Sequence, residues 1–102
     1  MGNLEGKQYV NGILKNTVDV VFLSEGRLHL RGYTLFAQMT LNSIFYPIHV
    51  QTQKGENVEI TKIFMEDRHF IQITVDDIDP IYCNPDEFAM ELKSSIAVYA
   101  SY

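Results

Sequence analysis

From residue 17 to residue 75 the chain alternates apolar and polar side chains at period two, in short runs broken by polar turn signals. That alternation confines this stretch to short antiparallel strands. Val18, Val20 and Phe22 alternate with Thr17, Asp19 and Val21, and Leu28 and Leu30 alternate with Arg27, His29 and Arg31. Ile44, Tyr46, Ile48 and Val50 share one face, with Phe45, Pro47, His49 and Gln51 opposite. Val58 and Ile60 open a further strand, and Ile71, Ile73 and Val75 alternate with Phe70, Gln72 and Thr74. Successive strand residues point to opposite faces, so each run offers one face to a core and one to solvent. Ser24-Glu25-Gly26, the segment from Gln53 to Asn57, and Glu66-Asp67-Arg68 fall between the runs and predict turns. Ile60 and Ile63 differ in parity, which predicts a bulge or sharp bend near Thr61 and Lys62.

The period changes once. Asn84-Pro85-Asp86-Glu87 is a helix start: Asn84 caps, Pro85 suits the first helical position, and Glu87 stands where a capping box places its acid. Phe88, Leu92, Ile96 and Tyr99 then form one stripe, with Ala89 at its margin, and the stripe is expected to pack on the sheet. Met90, Ala97 and Val98 lie beside Lys93 and Ser94 on the other side, which suggests a second contact surface.

The chain of 102 residues has room for one domain, 1–102, with strands over about 7–82 and a C-terminal helix over about 85–100. The expected class is mainly β: a partly open antiparallel barrel or sandwich of about seven strands, capped by the helix. At 46% hydrophobic and 21% charged residues, it can bury a core without staples. Cys83 is the single cysteine, so no internal disulfide and no multi-cysteine zinc site can form. No cofactor is expected. A net charge of −5 opposes nucleic-acid binding, which needs a basic face. No apolar stretch approaches the ~20 residues of a membrane helix. Met1-Gly2 is followed by Gly6 where a myristoylation motif wants Ser or Thr. With no leader pattern, the expected location is cytoplasmic.

Three stretches carry a family likeness. Leu23-Ser24-Glu25-Gly26-Arg27-Leu28-His29-Leu30-Arg31-Gly32 is similar to a strand–turn–strand with a "(T/S)-x-x-R-L" segment. Met39-Thr40-Leu41-Asn42-Ser43-Ile44 is similar to an "i-x-L-x-x-I" strand. The run from Phe64 to Ile73, with Asn84-Pro85-Asp86-Glu87-Phe88 and Leu92, looks like a last hairpin followed by a helix opening "p-x-e-F-x-x-x-L". Together they resemble the pleckstrin-homology (PH) superfold, in particular small bacterial PH-like and GRAM-like domains. The resemblance implies a helix-plugged barrel that serves as an interaction module. Its phosphoinositide-binding members carry a basic cluster on the first two strands, where this chain has Lys7 and Lys15 almost alone. The Trp that many eukaryotic members place in the final helix is absent.

Among candidate sites, Arg27, His29 and Arg31 form an outward row that can hold a phosphate or carboxylate. The plainer account is a solvated sheet face balanced by acids on a neighbouring strand. Asp76-Asp77-Ile78-Asp79 offers hard oxygen ligands to Ca²⁺ or Mg²⁺, but it lacks EF-hand spacing, and Asp79-Pro80 reads as a turn. His29, His49 and His69 have no local metal spacing. Cys83 before the helix is expected to be an ordinary buried thiol, although a helix N-terminus can activate one. Twelve aromatic rings, six Tyr and six Phe, are scattered among mainly acidic charges, which does not make a base-stacking platform. Phe45 and Phe70 have outward parity and mark a sticky patch where exposed. With no catalytic set in view, the expectation is a non-enzymatic module that self-associates and binds a protein partner, with Phe45, Phe70, Met90 and Ala97 as interface candidates. The alternative is binding of an anionic lipid headgroup or phospho-ligand by Arg27, His29 and Arg31. A small-molecule carrier or enzyme ranks last.

Overall fold

The alternating runs assemble into one antiparallel sheet. The computed structural model describes residues 2–23, 26–30, 37–38, 47–51, 55–76 and 78–100, with the backbone alone for 37, 38 and 97–100. The strands are β1 (Gly2–Val10), β2 (Ile13–Leu23), β3 (Arg27–Leu30), β4 (Ala37–Gln38), β5 (Ile48–Gln51), β6 (Asn57–Met65), β7 (Arg68–Val75) and β8 (Ile81–Cys83), followed by the helix α1 (Pro85–Ala100). Their spatial order is β4-β3-β2-β1-β8-β7-β6-β5. Two four-stranded meanders are therefore joined through the first and last strands. Seven strands of three residues or more, with the two-residue β4, curl into a half-barrel that carries the C-terminal helix.

Both long hairpins close with two-residue turns. Val10 pairs with Ile13 around Asn11 (φ 51°) and Gly12 (φ 77°). Met65 pairs with Arg68 around Glu66 (φ 54°) and Asp67 (φ 62°). Positive φ at both central residues is the type I′ geometry, whose twist matches that of the flanking strands and which favours Asn-Gly. The bend expected near Thr61 and Lys62 is not there: the β6–β7 register runs unbroken from Val58↔Val75 to Met65↔Arg68. Ile63 keeps its parity, faces outward and sits opposite Phe70. The register shift falls instead between Gln8 and Tyr9, against β2.

β1 starts at Gly2, well before position 7, where the first strand was expected. Its inward residues are Leu4, Gly6 and Gln8, so it lacks an apolar alternation. Gly6 is required by close approach: a Cβ there would overlap Ile81 Cγ2 of β8 and lie 3.3 Å from Val20 Cγ2. Gln8 is only 4% exposed, and its Nε2 donates to the Asp79 carbonyl at 2.8 Å. Its Oε1 accepts from Asn16 Nδ2 at 3.2 Å. The β1–β8 ladder has one paired position, Lys7↔Tyr82. Gln8 therefore continues with its side chain the pairing that the backbone provides only once. Lys15 Nζ adds a 2.7 Å ion pair to Asp79 across the same seam.

The concave face holds the core: Val18, Val20 and Phe22 of β2, Leu28 and Leu30 of β3, Val58 and Ile60 of β6, Ile71, Ile73 and Val75 of β7, and Ile81 of β8. α1 lies on it against β1, β2 and β7. Asn84 Oδ1 accepts from the backbone N–H of Asp86 and Glu87, capping the helix as its sequence predicts. Phe88 and Leu92 are fully buried, and Phe88 meets the Phe22 ring edge-on at 5.1 Å. Burying such a side chain contributes about 1.5–3 kcal/mol, which makes these two the helix's main anchors.

Candidate functional site

The outer face of the sheet carries a belt of apolar side chains that the core does not use. Outward parity places Tyr9 on β1, Tyr82 on β8, Phe70 on β7 and Ile63 on β6, on four successive strands. The Tyr9 and Tyr82 rings are 6.0 Å apart, and Phe70 meets Tyr82 edge-on at 5.9 Å. The Arg68 guanidinium lies over the Phe70 ring at 5.5 Å, within reach of a cation–π interaction. Tyr9, Tyr82, Phe70 and Arg68, with Gly12 of one hairpin turn and Met65 and Glu66 at the other, line a cleft of about 520 Å³ that Pro80 also borders. A second hollow of about 460 Å³ adjoins it, lined in part by Glu5, Lys7, Asn84 and Glu87. The short β8 accounts for the cleft: with three residues between neighbours of nine and eight, it leaves their ends standing clear of it. Apolar strand residues beside both hairpin turns are exposed, with Ile13 at 72%, Leu14 at 50% and Phe64 at 64%. The rings of Phe64 and its ladder partner His69 meet at 4.9 Å, tilted by 54°, on the other side of the β6–β7 tip.

Phe70 is half-buried in the belt, and Met90 stands 58% exposed on α1. Phe45 and the side chain of Ala97 lie outside the described residues. Arg27 and His29 share the outward face of β3, opposite buried Leu28 and Leu30, and Arg31 lies outside the described residues. The three histidines are on β3, β5 and β7, no two of which are neighbours. His49 faces Glu59 of β6, with 3.6 Å between Nε2 and Oε2, and both side chains are exposed. Among the described residues, no three of His, Cys, Asp and Glu converge as metal ligands.

The acidic segment is put to structural use. Asp76 Oδ2 accepts from the Asn57 backbone N–H at 2.9 Å, and the Asp76 N–H donates to the Asn57 carbonyl at 3.2 Å, which extends the β6–β7 ladder. Asp79 is held by Lys15. Asp77 lies outside the described residues. Cys83 is buried, and its thiol is pushed up to about 12 by burial first and by the Glu87 carboxylate second. Both causes disfavour the thiolate, so the thiol is not activated by its place before the helix.

Sequence patterning reached Phe70 but not its partners. Tyr9 belongs to a strand without apolar alternation, and Tyr82 sits in a three-residue strand, too short for a period. The Asn11-Gly12 pair was the one local signal that could have placed the first hairpin and its exposed tip. Comparison with protein-family models, with curated proteins and with solved structures yields no match.

Proposed function

We propose that this chain is a non-catalytic interaction module of PH-like architecture. It binds a protein partner at the outer-face cleft and self-associates through the apolar side chains left exposed at Ile13 and Met90. The curled half-barrel with its C-terminal helix is compatible with that architecture. The observation that carries the reading is the belt of Tyr9, Tyr82 and Phe70, which lies on the face away from the core. Rings there add nothing to the core, and covering them on association gains about 25 cal/mol per Å². Burial disfavours the Cys83 thiolate, which argues against this one thiol as a nucleophile. The alternative at Arg27, His29 and Arg31 has less behind it, since Arg27 is already engaged in an interaction of its own.

Two measurements test the proposal. A solvent-sensitive apolar dye is expected to brighten on the native protein and to lose that signal in Met65→Glu and Tyr9→Ser. A native protein that does not bind the dye refutes an open apolar cleft. Light scattering at two concentrations is expected to show a mass above 11.7 kDa that falls in Ile13→Asp and Met90→Glu. A mass of 11.7 kDa at both concentrations removes self-association.

A further inference from the structure

Charge narrows what the cleft can take, and this inference rests on the cleft being a docking surface. The chain closes its two long hairpins with the same backbone geometry but with different residues. At β1–β2 it uses Asn11-Gly12, the pair this geometry favours. At β6–β7 it uses Glu66-Asp67, although non-glycine residues at positive φ are strained, and Asn or Asp bears that conformation better than Glu. Among the described residues, neither the Glu66 nor the Asp67 carboxylate has a hydrogen bond or ion pair. Glu66 lines the cleft beside the Tyr9, Tyr82 and Phe70 rings, and Asp67 is exposed next to it. The cation on this wall, Arg68, is laid over Phe70. With the Phe70 face taken by Arg68, the Glu66–Asp67 carboxylates beside the Tyr9 and Tyr82 rings are complementary to a cation flanked by apolar groups, because carboxylates and free ring faces both attract positive charge.

We propose that the cleft binds a peptide segment of a partner protein in which a Lys or Arg stands between apolar residues. The cation meets the Glu66–Asp67 turn, and its apolar neighbours pack on Tyr9, Tyr82 and Phe70.

The test uses the full chain, ¹⁵N-labelled, with two ten-residue probes: one alternating Arg and Leu, and its counterpart with Glu in place of every Arg. The Arg peptide is expected to shift the amides of Tyr9, Gly12, Phe70 and Tyr82. Its affinity is expected to fall about two- to five-fold in Glu66→Gln/Asp67→Asn, the range for an exposed ion pair, and to stay unchanged in Asp86→Asn on the helix. Added salt is expected to weaken it. Equal binding of the Glu peptide, or an unchanged affinity in the double variant, overturns the charge assignment and leaves the cleft as an apolar docking surface. Neither peptide shifting these amides overturns the docking surface as well. Shifts at the same amides on concentrating the protein without peptide assign the cleft to a second copy and overturn the partner assignment.

Discussion

The seam between β1 and β8 is where a single substitution should reveal most about this fold. One backbone pair joins the two meanders there, and the Gln8 side chain supplies the next bond, to the Asp79 carbonyl at 2.8 Å. Gln8→Glu keeps the shape and turns the donor into an acceptor. At neutral pH the loss has two parts: the hydrogen bond itself, about 1 kcal/mol, and a carboxylate desolvated at a site only 4% exposed and aimed at a carbonyl oxygen. Asn16 Nδ2, which donates to the other side-chain oxygen, offsets part of the second. We expect a net cost of about 2–4 kcal/mol, a large share of the ~5–15 kcal/mol available to a domain of this size. Burial raises the introduced carboxyl above its unfolded value of ~4.3, and in its protonated form it can again donate to Asp79. The protonated form is the one the fold favours. The variant should therefore match the parent below about pH 4, lose stability as pH rises through the window above the unfolded value, and level off beyond the folded one. The chain has no Trp, so urea melts followed by far-UV circular dichroism are the suitable assay, run on both proteins from pH 4 to 8. At ~4–8 °C per kcal/mol the thermal midpoint at pH 7.5 should drop by more than 8 °C. A variant as stable as the parent at every pH would refute the claim that Gln8 holds the seam.

Three further outcomes follow from the same structure. Gly6→Ala should cost about 1–3 kcal/mol in urea melts, because the added Cβ overlaps Ile81 across the same seam; an unchanged midpoint would show that β8 can shift freely. Glu66→Asn/Asp67→Gly, which copies the other hairpin's turn, should stabilise by about 1 kcal/mol or more and weaken binding of the cationic peptide; a loss of stability would remove the strain reading. Cys83 should resist thiol reagents in the native state and react on unfolding. Its folded value of about 12 lies above the ordinary 9.0, so the stability it contributes is complete below pH 9 and is lost as pH rises from 9 toward 12; native labelling at the unfolded rate would contradict its burial.

Residues that fold locally could be read from the order of the chain. Asn84, Pro85 and Glu87 set the helix start within one turn, and Phe88 and Leu92 mark its buried stripe. β2, β3 and β7 were legible because each has several inward apolar residues at period two. The same logic gave the outward row of Arg27 and His29 and the outward Phe70. Ile63 misled it: an apolar residue out of phase suggests a bulge, whereas here it extends an apolar patch on the outer face. Nothing in a one-dimensional pattern separates those two cases.

By itself the sequence determined a mainly β chain ending in one capped helix, because alternation and capping depend on residues within a few positions of each other. The tertiary structure alone decided that the first strand pairs with the last. That contact spans most of the chain, and it is made by a Gly whose value is the absent side chain and a Gln whose partner is a distant carbonyl. The same pairing brought Tyr9 beside Tyr82 and made the cleft, so the candidate site exists only where two ends of the sequence meet.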